Sequence, residues 1–181
     1  MFCRKLFFVL LAILFQNLYL GFAQKSDIEM AGDIGVIVVP IAGLTTTLIK
    51  GDNKGTWQFA KGFLLNQVVT FGLKASISKT RPDFSDNNAF PSGHTSTVFQ
   101  GASFIHRRYG FKYSIPAYAI AGFTAFSRQD AKKHDMFDIL VGAIIGIGST
   151  CLFTTPYQEE HLKLSFNSYD GNYLMGFIYK F

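Results

Sequence analysis

Beyond the N-terminal segment, three long stretches of this chain carry no charged residue: 34–49, 113–126 and 139–157, sixteen, fourteen and nineteen residues long. Segments this apolar are driven out of water, into a protein core or into lipid. All three are too long for strands of a small domain and read as helices. Between them, residues 50–55 (KGDNKG) are polar with two glycines and mark a turn. Residues 57–79 have helical length, with Phe63, Leu64, Val68, Phe71 and Leu73 at apolar positions. Residues 81–91 form a polar loop bounded by prolines, and a helix over 92–109 is stopped by Gly110. A helix over 113–126, with Pro116 near its start, and a last one over 134–152 complete the reading. The expected fold is all-α: one compact bundle of about five to six helices, without repeats or a domain boundary. Only the nineteen-residue stretch approaches the ~20 residues of a bilayer span. Shorter stretches also suit core helices, so an embedded bundle and a soluble one both stay open.

The two ends have their own character. Residues 1–23 read as a signal peptide, with Arg4 and Lys5, an apolar run at 6–15, and small residues Gly21 and Ala23 before a cut at Gln24. The rival reading is a retained signal anchor, and either way the domain over 24–156 is exported. In the tail, 157–181, Leu162, Leu164 and Phe166 alternate with polar residues. Asp170-Gly171 is a hairpin signal, and Tyr173, Met175, Phe177, Tyr179 and Phe181 alternate again. A short hairpin packed on the helices is expected. One hairpin cannot close a barrel, and open edges are not tolerated in lipid.

Charge narrows the partners. The balance is +5, from 17 basic and 12 acidic residues, and the basic ones form no long run. Anionic small molecules or lipid head groups fit better than nucleic acid. Cys3 and Cys151 are the only cysteines, too few for a metal cage or a disulfide framework.

The basic residues gather around specific chemistry. Lys74 and Arg81 are seven residues apart, two helical turns, so both can lean to one side before Pro82 turns the chain away. Pro91-Ser92-Gly93-His94 opens a helix, where unpaired backbone amides, the positive end of the dipole and the Ser92 hydroxyl suit an anion. Gly93 admits that anion close to the backbone. Ser127-Arg128 then precedes His134, and Asp138 follows four residues later. If both lie on a helix, that spacing sets carboxylate beside imidazole and fixes the tautomer. Each piece alone has an ordinary explanation as a cap, a solvated cation or a structural hydrogen bond. Three cations, two histidines and one helix start together describe an anion cradle with an oriented imidazole.

These segments resemble the three signature motifs of the type 2 phosphatidic acid phosphatase (PAP2) superfamily. That superfamily also includes class A acid phosphatases and vanadium haloperoxidases. The likeness runs through Lys74-x6-Arg81-Pro82, Pro91-Ser92-Gly93-His94 and Ser127-Arg128-x5-His134-x3-Asp138, all in order. It implies that His134 is the nucleophile, that Asp138 orients it and that His94 is the general acid. Lys74, Arg81, Arg128, the Ser92 hydroxyl and the Gly93 amide would bind phosphate. No metal and no other cofactor is implied. The spacer Gln129-Asp130-Ala131-Lys132-Lys133 departs from the family by its high charge, which bears on the substrate more than the chemistry.

The function expected is a metal-independent phosphatase acting on a monoester or diphosphate, most naturally of a lipid, through a phosphohistidine. Membrane association and a place in the cell envelope, periplasm or inner membrane, with the site facing outward, go with it. A soluble exported acid phosphatase of broad specificity is the alternative. A vanadium haloperoxidase and a non-enzymatic membrane-interaction protein are weaker ones. Neither the ester nor the oligomeric state is written in these residues.

Overall fold

The computed structural model describes residues 26–158 and two strands over 162–169 and 172–179. The proposed signal segment, Cys3, the Asp170-Gly171 turn and Phe181 lie outside the described residues.

Five helices follow one another with short connections: α1 Asp27–Ile49, α2 Asn53–Ser76, α3 Gly93–Tyr109, α4 Phe111–Asp130 and α5 Met136–Phe153. The all-α reading holds, with corrections at the ends that caps explain. Helix α1 begins seven residues before the uncharged stretch because Ser26 caps it, accepting from the Glu29 amide at 3.2 Å. The 50–55 segment is only half turn. Gly51 takes φ +64°, and Asp52 caps α2 by accepting from the Gly55 amide at 2.8 Å. Helix α2 therefore starts at Asn53 rather than Trp57. Gly110, at φ +104°, ends α3 and α4 begins at once. At α5 a reciprocal capping box between Asp135 and Asp138 sets the first helical residue at Met136. His134 thus precedes the helix instead of riding on it.

Helix direction alternates along the chain. The starts of α1, α3 and α5 and the ends of α2 and α4 meet at one end of the bundle, which will be called the motif end. The opposite end holds a small aromatic core of Leu44, Phe59, Phe63 and Phe104, with Phe59 and Phe104 edge to face at 5.0 Å. A second cluster, with Val39, Val98, Ile105 and Ala121, ties α1, α3 and α4.

The seam between α3 and α5 is polar and tight. A Cβ at Gly142 would come within 2.6 Å of the Ser92 carbonyl oxygen, and one at Gly146 would overlap the Ser96 carbonyl. Only glycine lets these backbones touch. Across the same interior Thr70 meets Ser96 at 3.1 Å, and Ser103 donates to Thr150 at 2.9 Å. Large apolar side chains lie outside instead. On α5 the buried positions include Asp138, Gly142, Gly146, Ser149 and Thr150. Phe137, Leu140, Ile144 and Leu152 are exposed. On α2, Phe63 is buried while Leu64, Val68 and Phe71 face outward. By length and composition, α1 and α5 could each cross a membrane.

The tail is a hairpin, as its alternation predicts. Strands β1 Leu162–Tyr169 and β2 Asn172–Tyr179 pair antiparallel. In their register Leu162, Leu164 and Phe166 stand opposite Tyr179, Phe177 and Met175.

Candidate active site

The motif end assembles every residue singled out from the sequence, although they come from four helices and two loops. Lys74 sits in the last turn of α2 and donates to the Asn88 carbonyl at 2.7 Å. Its Cε would lie 3.7 Å from a Cβ on Gly93, so the lysine stem crosses the start of α3. Arg81 is held by Asp86, which accepts from its Nε at 2.7 Å. Here the chain folds back on itself: the Lys79 amide donates to the Asn87 carbonyl and the Ala89 amide to the Lys79 carbonyl, both at 3.0 Å. Two residues on, the Phe90–Pro91 peptide is cis.

Ser92 caps α3. It is fully buried, and its hydroxyl lies 2.9 Å from that of Thr95. Gly93 and His94, the first two helical residues, are partly open. The Ser92 amide donates to the Asp138 carbonyl at 3.0 Å, which locks the second motif onto the third.

Arg128, in the last turn of α4, is buried. It donates from Nη2 to the Glu29 carbonyl at 2.7 Å, and its Nη1 is 2.9 Å from Asp33 Oδ1. The same Asp33 oxygen is 3.0 Å from His94 Nε2. The charged spacer after Arg128 also has a local role. Lys133 pairs with Asp83 at 2.5 Å, and the Asp83 amide donates to the Lys132 carbonyl at 3.0 Å. It clamps the third motif to the loop that follows the first.

His134 is 3% exposed, and its Nδ1 is 2.7 Å from the Ala89 carbonyl oxygen. A carbonyl can only accept, so the proton sits on Nδ1 and the lone pair on Nε2. Asp138 is near but farther, its Oδ2 3.8 Å from His134 Nδ1. Its oxygens serve other donors: Lys79 Nζ at 2.7 Å and the Asp135 amide at 3.1 Å. Burial, joined by the positive charges of Arg81 and Lys74, pushes the His134 imidazole from 6.5 down to about 3. It is neutral at pH 7. Burial opposes the Lys79 charge, but its bonds to Asp135 and Asp138 outweigh that and raise its pKa.

Sequence reasoning missed Ala89, Lys79, Asp135 and Asp33. The Asp-x-x-Asp capping pattern could have flagged Asp135. Asp33 had only a faint signal, the third acid of α1 and the last residue before its uncharged stretch. Among the described residues no group of three or more His, Cys, Asp or Glu could hold a metal ion.

A buried neutral imidazole among fixed cations at the ends of antiparallel helices is the kit for moving a phosphoryl group. Comparison with known proteins agrees. Residues 55–161 match the PAP2 superfamily. Lipid A 4'-phosphatase of Helicobacter pylori is 32% identical over 148 residues, covering 76% of this chain and 74% of that protein. Lipid A 1-phosphatase of Porphyromonas gingivalis is 40% identical over 87 residues, covering 46% of this chain but 19% of that longer protein. The crystal structure of Aquifex aeolicus LpxE shares the fold, with a TM-score of 0.60 at 21% identity, over 69% of this chain and 81% of that one. The chain belongs to the PAP2 superfamily. It is a phosphoric ester hydrolase of the lipid phosphatase type.

Proposed function

We propose that this enzyme removes a phosphate from lipid A, working from within a membrane and without a metal. The observation that carries the chemistry is His134, buried, neutral, and pinned through Nδ1 by the Ala89 carbonyl. Its Nε2 lone pair attacks phosphorus and the bond to the sugar oxygen breaks. His94 passes a proton to that departing oxygen, and a phosphohistidine remains. Water then attacks phosphorus, giving a proton back to His94, and His134 leaves as the neutral imidazole. Lys74, Arg81, Arg128 and the Gly93 amide balance charge on the equatorial oxygens. Ser92 supports this group mainly by capping α3, since its hydroxyl already engages Thr95. Asp138 acts at one remove, through the capping box and Lys79, more than by direct contact with the imidazole.

Two kinds of observation support the lipid substrate. Relatives that act on lipid A match this chain, one of them across most of its length. Around the α3–α5 seam the packing is also the reverse of a water-soluble bundle, with glycine, serine and threonine inside and Leu140, Ile144 and Phe71 outside. That disfavours a soluble acid phosphatase. It fits export through the N-terminal segment and a site at the outer face of the inner membrane.

The test is phosphate release by detergent-solubilised enzyme from lipid A, phosphatidic acid, an isoprenoid diphosphate and a soluble sugar phosphate, each with chelator and with vanadate. Lipid A is expected to be preferred at least tenfold, with activity unchanged by chelator and blocked by vanadate. Loss in chelator that only Mg2+ restores would overturn the metal-free mechanism. A preference for the soluble ester would overturn the lipid reading.

A further inference from the structure

We propose that Asp33 is a positioning residue for the proton donor of this reaction. It lies on α1, outside all three motifs and outside the segment that matches the family. Helix α1 reaches the site because Gly32 permits it: a Cβ there would overlap the Ser127 hydroxyl. One turn earlier, the Glu29 carbonyl accepts from Arg128 Nη2 at 2.7 Å and holds the helix in place. With α1 so fixed, Asp33 Oδ1 falls between His94 Nε2, at 3.0 Å, and Arg128 Nη1, at 2.9 Å.

The chemistry of that fork is specific. An ionised carboxylate only accepts, so His94 keeps its proton on Nε2 and presents Nδ1 as the second site. In the imidazolium form, Nδ1 carries the proton that can be transferred to a leaving oxygen. Asp33 stabilises that cation and stops the ring from turning. Arg128 in turn fixes the carboxylate.

The inference rests on reading His94 as the general acid, and the experiment keeps the two separable. Asp33→Asn, Asp33→Glu and His94→Ala are compared on a long-chain alkyl phosphate and on nitrophenyl phosphate. An alkoxide leaves only with a proton, whereas a nitrophenolate needs little help. His94→Ala should therefore lose at least a hundredfold in kcat on the alkyl ester and far less on the aryl one. Asp33→Asn should lose about ten- to a hundredfold in kcat on the alkyl ester. On the aryl ester it should stay within about threefold, because Arg128 still donates to the Glu29 carbonyl at 2.7 Å and, from Nε, to the Ser127 hydroxyl at 3.3 Å. Asp33→Glu, which restores the charge, should recover part of the loss.

Equal losses on both esters in Asp33→Asn, with the His94→Ala split intact, would make Asp33 merely structural and overturn the proposal alone. A lower KM with unchanged kcat would show instead that Asp33 competes with phosphate for Arg128, and would overturn it too. No split in His94→Ala itself would overturn both readings.

Discussion

The two ends of the bundle each bury an arginine, and they use it in opposite ways. Away from the motifs, Arg108 grips Asp52 with two parallel bonds of 2.7 Å, and its Nη1 donates to the Thr155 carbonyl at 2.8 Å. Tyr109 adds a bond to the same carboxylate at 2.9 Å. Both charged side chains are almost wholly out of water, and the bidentate fork is closed. At the motif end, Arg128 makes single bonds to the Glu29 carbonyl, the Ser127 hydroxyl and one oxygen of Asp33, with the Glu29 carboxylate 3.7 Å away, and Lys74 donates to the Asn88 carbonyl. A closed fork holds helices together. A guanidinium held by single contacts stays in place and still has donors to offer a phosphate. One pattern is closed, and the other suits the proposed cradle.

The largest effect should come from His134, the proposed nucleophile. His134→Ala is expected to abolish hydrolysis of alkyl and aryl esters alike, together with any trappable phosphoenzyme, in rapid-quench labelling. A phosphoenzyme that survives in His134→Ala but vanishes in His94→Ala would show the two histidine roles reversed.

Next in size is the arginine pair itself. Arg128→Ala should cut turnover a hundredfold or more, on the order of 3 kcal/mol of transition-state stabilisation, with a smaller loss of thermal stability than Arg108→Ala. Arg128→Lys should recover only part, since a lysine offers no planar fork. Arg108→Ala should do the reverse. It leaves Asp52 buried without its partner, a cost of about 3–5 kcal/mol in stability, while the folded fraction keeps near-normal kcat. Equal stability losses in the two variants, measured by thermal unfolding in detergent, would erase the distinction between the ends.

How much of this was legible beforehand follows from where the information sits. Lys74, Arg81, His94, Arg128 and His134 announce themselves because side-chain type and spacing are written along the chain. The stops at Ser92 and Gly110 are equally local. What pins His134 is the Ala89 carbonyl, and a backbone oxygen has no letter of its own. The His134–Asp138 spacing suggested a shared helix, yet the Asp135 cap starts that helix at Met136, two residues too late for His134 to join it. Asp33 reaches His94 across 61 positions, so only the packing of α1 reveals it. The apolar positions on α2 were visible, but periodicity does not say whether such a stripe faces core or lipid. Leu64 and Val68 turn outward, and the interior is lined by Asn66 and Thr70.

The smallest expected effect tests the electric field that sets the motif end apart. His134 is neutral because burial, then Arg81 and Lys74, disfavour its protonation. Its folded pKa is about 3, below the 6.5 of a free imidazole. His134, the proposed nucleophile, therefore stays unprotonated on acidification until pH nears 3. On nitrophenyl phosphate, which needs little help from His94, the acid limb of kcat/KM set by His134 should lie near that value. Replacing Arg81 with Ala removes one like charge and should raise this limb by on the order of one pH unit. Burial, the largest cause, remains, so the limb should stay well short of 6.5. The same shift has a sign for stability. Between pH 6.5 and 3 the unfolded imidazole binds a proton that the folded one refuses, so His134 destabilises the fold as pH falls through that window. Arg81→Ala should narrow the window from below. The residual activity of Arg81→Ala, followed from pH 7 to pH 3 alongside its thermal midpoint, reads both. A limb that does not move would mean that Arg81 binds phosphate without biasing the imidazole.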